Sequence, residues 1–143
     1  MMWGSGVSHS CAEIILDTSA IIFAVEKRVN LLELALSVPE EVCKVIIPSP
    51  VVEELKALAR GRGVRSRAAR AALKIIEKEK VEHSSVLEII DTGDLRAPVD
   101  DLVLLLAKEG QRVVVTADRK MRRKADVLGI RVYLVAKASL NAR

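Results

Sequence analysis

Hydrophobic residues in this chain follow two periods. Short unbroken apolar runs, Ile14-Ile15-Leu16, Val45-Ile46-Ile47 and Val113-Val114-Val115, have the length and β-branched character of strands buried on both faces. Between them, apolar residues recur three and four positions apart, as on one face of a helix. Together these patterns predict strands over about 13–16, 44–47, 86–90, 112–116 and 130–135. They predict helices over about 19–28, 31–37, 49–60, 65–80 and 100–109, with a last one opened by Asp118 and stopped by Gly129. Pro48 ends the second strand, and Pro50 suits the first turn of the helix after it. Gly61-Arg62-Gly63 interrupts one helical stretch, and Gly110 is expected to end another. Leu102 to Ala107 is apolar all round, which predicts a central, buried helix. Strands alternating with helices imply an α/β fold, a three-layer α/β/α domain with a mainly parallel central sheet of about five strands. The domain is expected over 13–136, with a flexible tail over 1–12 and a second tail over 137–143.

Composition narrows the class. A chain of 143 residues suits one domain, and at 50% hydrophobic it can fill a core. The 23 basic residues outnumber the 19 acidic ones, for a net charge of +4. Only three Asn and Gln occur, while 29% of residues are charged, a balance that leans towards a thermophile. Cys11 and Cys43 are read as no disulfide framework, and no CxxC is present. His9 and His83 lie too far apart in sequence to suggest zinc. The start of the chain lacks a signal-peptide pattern, and Asp17 and Glu26 interrupt the most apolar stretch, so no membrane span is expected. A cytoplasmic location follows as the expectation. Three aromatic residues, Trp3, Phe23 and Tyr133, are too few for a base-stacking platform.

The acids carry the chemistry. Asp17, Asp100 and Asp118 each fall just ahead of a predicted helix, where an aspartate commonly caps free backbone N–H groups. Asp17 and Asp118 both follow apolar strands, which places both on the carboxyl edge of the sheet, where α/β proteins bind ligands. Glu54 joins them from a helix. Val51, Leu55 and Leu58 form the buried stripe of that helix; Glu54 borders it, and Glu53 points to solvent. A carboxylate at the border of a buried face needs a partner. Clustered carboxylates repel one another unless a cation holds them, and hard oxygen ligands select Mg²⁺ or Mn²⁺. The chemistry that fits is metal-dependent hydrolysis of a phosphodiester. The apolar helix after Asp100 and Asp101 offers no face by which to choose between those two.

The ordered set Ile15-Leu16-Asp17-Thr18-Ser19, Pro48-Ser49-Pro50-Val51-Val52-Glu53-Glu54-Leu55, Asp100-Asp101-Leu102-Val103 and Val115-Thr116-Ala117-Asp118-Arg119 resembles the PIN domain. The likeness runs from about Ile14 to Val135. It implies a Mg²⁺- or Mn²⁺-dependent endoribonuclease that cuts single-stranded RNA. The family's catalytic and metal-binding acids fall on Asp17, Glu54, Asp100 and Asp118, with the spacing to Thr116-Ala117-Asp118 favouring Asp100 over Asp101. Thr18, Ser19 and Thr116 match small hydroxyls that orient the acids. Within the family the chain is similar both to the toxins of VapBC toxin–antitoxin pairs and to an archaeal branch resembling rRNA-processing proteins. The stretch from Lys56 to Lys80 and the Asp100-Asp101 doublet look more like the latter. A homodimer, or a small antitoxin protein, is the protein partner that the resemblance implies; Leu31-Leu32-Glu33-Leu34-Ala35-Leu36 is apolar enough to serve it, and core packing explains that stretch equally well.

Two basic segments complete the picture. Lys56, Arg60, Arg62, Arg65, Arg67, Arg70 and Lys74 occur without an intervening acid, and Arg119, Lys120, Arg122, Arg123 and Lys124 follow Asp118 directly. Either is explicable as a solvated helix face. As phosphate contacts, Arg62, Arg65, Arg67, Arg70, Lys74, Arg119, Arg122 and Arg123 are the candidates for RNA binding. A non-catalytic RNA-binding or assembly module of the same fold is the competing reading. A phosphorylated receiver domain with Asp91 as acceptor is disfavoured, because Asp17 stands alone where receivers need paired acids.

Overall fold

The computed structural model describes residues 11–135. Of the expected tails, residues 1–10 and 137–143 lie outside the described residues, as does residue 136 of the expected domain. Ala12, placed in the tail by its polar neighbours, is the first residue of a strand. The strands are β1 (Ala12–Leu16), β2 (Val42–Pro48), β3 (Leu87–Ile90), β4 (Val113–Thr116) and β5 (Val132–Leu134). The helices are α1 (Thr18–Lys27), α2 (Leu31–Leu36), α3 (Ser49–Ala59), α4 (Val64–Glu82), α5 (Val99–Gly110) and α6 (Arg119–Val127).

All five strands run parallel in the order β3-β2-β1-β4-β5. Right-handed crossovers then put α1 to α4 on one face and α5 and α6 on the other. Ile14, Ile15, Leu16, Val45, Ile46, Ile47, Val114 and Val115 are essentially inaccessible, as strands covered on both faces require. No helix among the described residues is long and apolar enough to cross a membrane.

Several sequence expectations are revised. Asp100 does not precede its helix: α5 begins at Val99 after Pro98, so Asp100 lies inside the first turn. Leu102, Val103, Leu104, Leu106 and Ala107 are buried, but Leu105 is 52% exposed, so α5 has one open side. Gly110 is the last helical residue, and Gln111 takes the left-handed cap conformation at φ 54°. Gly110 is small for another reason: a Cβ there would meet the Arg112 guanidinium at 2.4 Å. Arg112 passes over it to donate to the Leu106 carbonyl (2.9 Å) and to Glu13 (2.6 Å). In α2, Leu31, Leu34 and Ala35 face the core, which leaves Leu36 exposed and little apolar surface for a partner.

Cys11 and Cys43 form a disulfide with Cα atoms 5.4 Å apart. Their separation of 32 residues concealed it. The parallel register of Ala12 with Val42 brings the two cysteines side by side at the amino edge of the sheet.

The α3–α4 hairpin has an unusual reach. At 1.5 Å per residue, the 11 residues of α3 run about 16 Å and the 19 of α4 about 28 Å. Outward from Pro48 and back again, the chain should finish about 12 Å below its start. It does: Val86 bonds the His83 carbonyl, and Val45 bonds the Val86 carbonyl, so α4 ends level with a residue about 10 Å below Pro48 on β2. The Gly61–Gly63 elbow joins the two helices.

Candidate active site

β1 and β4 are neighbours, but the chain leaves β1 towards β2 and β4 towards β5. Their carboxyl ends thus flank the switch point of the sheet, the crevice where open α/β folds place ligands. Asp17 ends β1 and caps α1, its Oδ1 accepting from the Ala20 amide (2.9 Å) and the Ser19 hydroxyl (2.9 Å). Its Oδ2 accepts from the Thr116 hydroxyl. Asp17 is 4% exposed and has no cationic partner among the described residues. Burial pushes its carboxyl up from 3.8 to about 6; the bonds from Thr116, Ala20 and Ser19 oppose the rise, and the charge of Asp100 adds to it.

The other acids meet at the same edge. Glu54 is half-buried and accepts from the Thr18 hydroxyl, whereas Glu53 is exposed and faces Lys56. Asp118 caps α6 through the Lys120 (2.8 Å) and Met121 (3.4 Å) amides, and its own amide donates to the Thr116 hydroxyl (3.1 Å). Ser19 Oγ also accepts from the Ala117 amide (2.9 Å), so the β4–α6 and β1–α1 turns share one network. Asp100 is half-buried. Its carboxyl is raised first by burial, then by the charge of Asp118; Lys124 opposes, and Glu54 and Asp101 add smaller pushes. Asp101 is exposed and pairs with Lys124 at 3.4 Å.

The repulsion between Asp100 and its acidic neighbours Asp17, Asp118 and Glu54 is what a cation would relieve. Their oxygens and the neighbouring hydroxyls are hard donors, with no sulfur or imidazole among them. Among the described residues, no three His, Cys, Asp or Glu side chains converge into a ready-made cage. Mg²⁺ needs none, since it is commonly bound by one or two carboxylates and keeps several waters. The donor set fits such an ion.

The predicted basic residues divide. Arg62, Arg65, Arg67, Arg70 and Lys74 are exposed on the hairpin, but Arg70 donates to the Ala59 (2.7 Å) and Gly61 (3.3 Å) carbonyls and so closes the end of α3. Arg119, Arg122 and Arg123 are exposed on α6. A groove of about 390 Å³ beside Asp100 is lined instead by Lys120, Arg123, Lys124 and Val127. The signal for Lys120 and Lys124 was legible, because these four residues recur at helical spacing. A larger cavity, about 740 Å³, lies at the opposite, amino edge near Cys11 and Val113. Its cations are committed: Lys108 to the Leu128 carbonyl, Arg112 to Glu13 and Arg131 to Glu40. Chemistry, rather than size, therefore locates the site.

Residues 14–135 match the family described as the PIN domain. Among solved structures, the PIN domain endonuclease Utp24 is similar at 23% identity and a TM-score of 0.67, over 87% of this chain and 86% of that one. A domain of a functionally unknown protein from Methanocaldococcus jannaschii is similar at 20% identity and a TM-score of 0.63, over 88% and 92%. No curated protein matches the sequence.

Proposed function

The chain belongs to the PIN-domain family, and from that membership we propose that it is a Mg²⁺- or Mn²⁺-dependent endoribonuclease that hydrolyses phosphodiester bonds in single-stranded RNA. The observation that carries this reading is the shared crevice. A buried Asp17 without a counter-ion is bound through Thr116 to the turn of Asp118, and Thr18, the next residue, is bound to Glu54. Asp17, Glu54, Asp100 and Asp118 are the residues that would hold the ion. When bound, it would lower the pKa of a coordinated water and neutralise charge on the phosphate.

The protein's own part is orientation. Ser19, Thr116 and the Ala20 amide fix both oxygens of Asp17, which leaves Oδ2 one lone pair for an ion. Asp118 is fixed by the first turn of α6. The carboxyl of Asp100 is raised by burial and then by the charge of Asp118, and a bound ion would oppose both effects. Asp101, turned towards Lys124, is left the role of a support. The exposed arginines of the hairpin would attract phosphate at longer range.

The test is cleavage of labelled single-stranded RNA with Mg²⁺, Mn²⁺ or chelator. Asp17→Asn should lower the metal-dependent rate at least about a hundredfold. Unchanged cleavage by that variant would remove the mechanism. The second reading is a non-catalytic RNA-binding or assembly module; RNA bound without turnover in every metal would establish it. In the cell, the activity would serve RNA processing or a toxin–antitoxin pair. A small antitoxin gene beside this one would decide for the toxin.

A further inference from the structure

The stripe on α6 divides the second basic segment by function. Met121 and Ala125 are inaccessible and anchor the helix to the sheet. Lys120, Arg123, Lys124 and Val127, three and four residues apart, form a second face, and that face lines the groove beside Asp100. Arg119 and Arg122 do not line it. Lys120 and Arg123 have no carboxylate partner among the described residues, and Lys124 reaches Asp101 only at 3.4 Å, in an exposed pair of little strength. Three cations thus line one wall of a 390 Å³ groove whose end is a carboxylate of the acid cluster. The volume admits a nucleotide-sized group. The anion that such a wall would hold is a phosphodiester entering or leaving the crevice.

We propose that the groove between α6 and the first turn of α5 is a phosphate subsite, in which Lys120, Arg123 and Lys124 hold the backbone phosphate next to the bond that is cut. The inference rests on the nuclease reading for the position of the cut, but not for the binding itself. Backbone contacts of this kind fix the register of a strand without reading its sequence. The subsite gives α6 two tasks in one turn: its amides orient Asp118, and its side chains position the substrate.

Binding separates this from catalysis. In the Asp17→Asn background, affinity for a fluorescent single-stranded RNA of about ten nucleotides is measured against salt, so turnover is not needed. Lys120→Gln with Arg123→Gln should weaken binding about tenfold at low salt and flatten the slope of log affinity against log salt by roughly 0.7 for each phosphate no longer neutralised. Arg119→Gln with Arg122→Gln should cost less than half as much on a logarithmic scale. A neutral methylphosphonate at the linkage beside the cut should weaken binding by the parent and have no effect once Lys120, Arg123 and Lys124 are all changed to Gln. Equal losses from the two pairs, or a methylphosphonate effect that persists undiminished in the triple variant, would overturn the subsite. RNA binding with the predicted selectivity but no cleavage would keep the subsite and sink the nuclease reading; cleavage without the selectivity would do the reverse.

Discussion

Asp17 shows how a residue suited to a cation weakens the protein that carries it. Its carboxyl is raised in the fold to about 6 from an ordinary 3.8. The folded state therefore binds its proton more tightly than the unfolded state does. Stability contributed by this group is present below pH 3.8 and is lost as pH rises towards 6, by roughly 3 kcal/mol in all. With chelator present at pH 7.5, Asp17→Asn should be more stable than the parent by about 1–3 kcal/mol in thermal melts. The gain should vanish near pH 4. Millimolar Mg²⁺ should raise the parent's melting temperature and leave the variant's unchanged. At this scale much was legible beforehand. Helical arithmetic separated Glu54 from Glu53, and strand-end position put Asp17 and Asp118 on one edge; the role of Thr116 came only with the family resemblance, and the depth at which Asp17 is buried was not legible. The choice between Asp100 and Asp101 was not legible from periodicity. It depends on the helix starting at Val99, one residue earlier than the acids suggested, and thereby turning one carboxyl towards Asp118 and the other towards Lys124.

At the scale of elements, the α3–α4 hairpin separates charge from task. Arg70 belongs by sequence to a basic run, yet it closes the carbonyl end of α3. Arg70→Ala should lower stability by about 1 kcal/mol in denaturant titration, whereas Arg67→Ala should change it by less than about 0.5 kcal/mol. The elbow itself is built by contact and by backbone. Ser66 Oγ bonds the Arg62 carbonyl (3.2 Å), and a Cβ on Gly61 would lie 2.8 Å from that hydroxyl oxygen. Gly63 takes φ 102°, a conformation that a side chain would strain. Glycine, arginine and glycine in sequence announced a break, but not the Ser66 and Arg70 bonds that shape it.

The molecule as a whole separates strength from chemistry. The Cys11–Cys43 bond joins the roots of β1 and β2, while the acids stand at the other ends of the strands. Closing a loop of 32 residues constrains the unfolded chain by about 3–4 kcal/mol. Dithiothreitol, or Cys43→Ser, should therefore lower the melting temperature while leaving metal-dependent cleavage at moderate temperature unchanged. The bond escaped sequence reading because two cysteines carry no pairing information until a register is known. The two outermost strands carry a different consequence. β3 and β5 have four and three residues, and each offers a stranger's backbone only a few hydrogen bonds. Borders this short make poor templates for a neighbouring molecule. Crowded or gently heated solutions should accordingly stay clear, without the fibres that a long naked margin would seed.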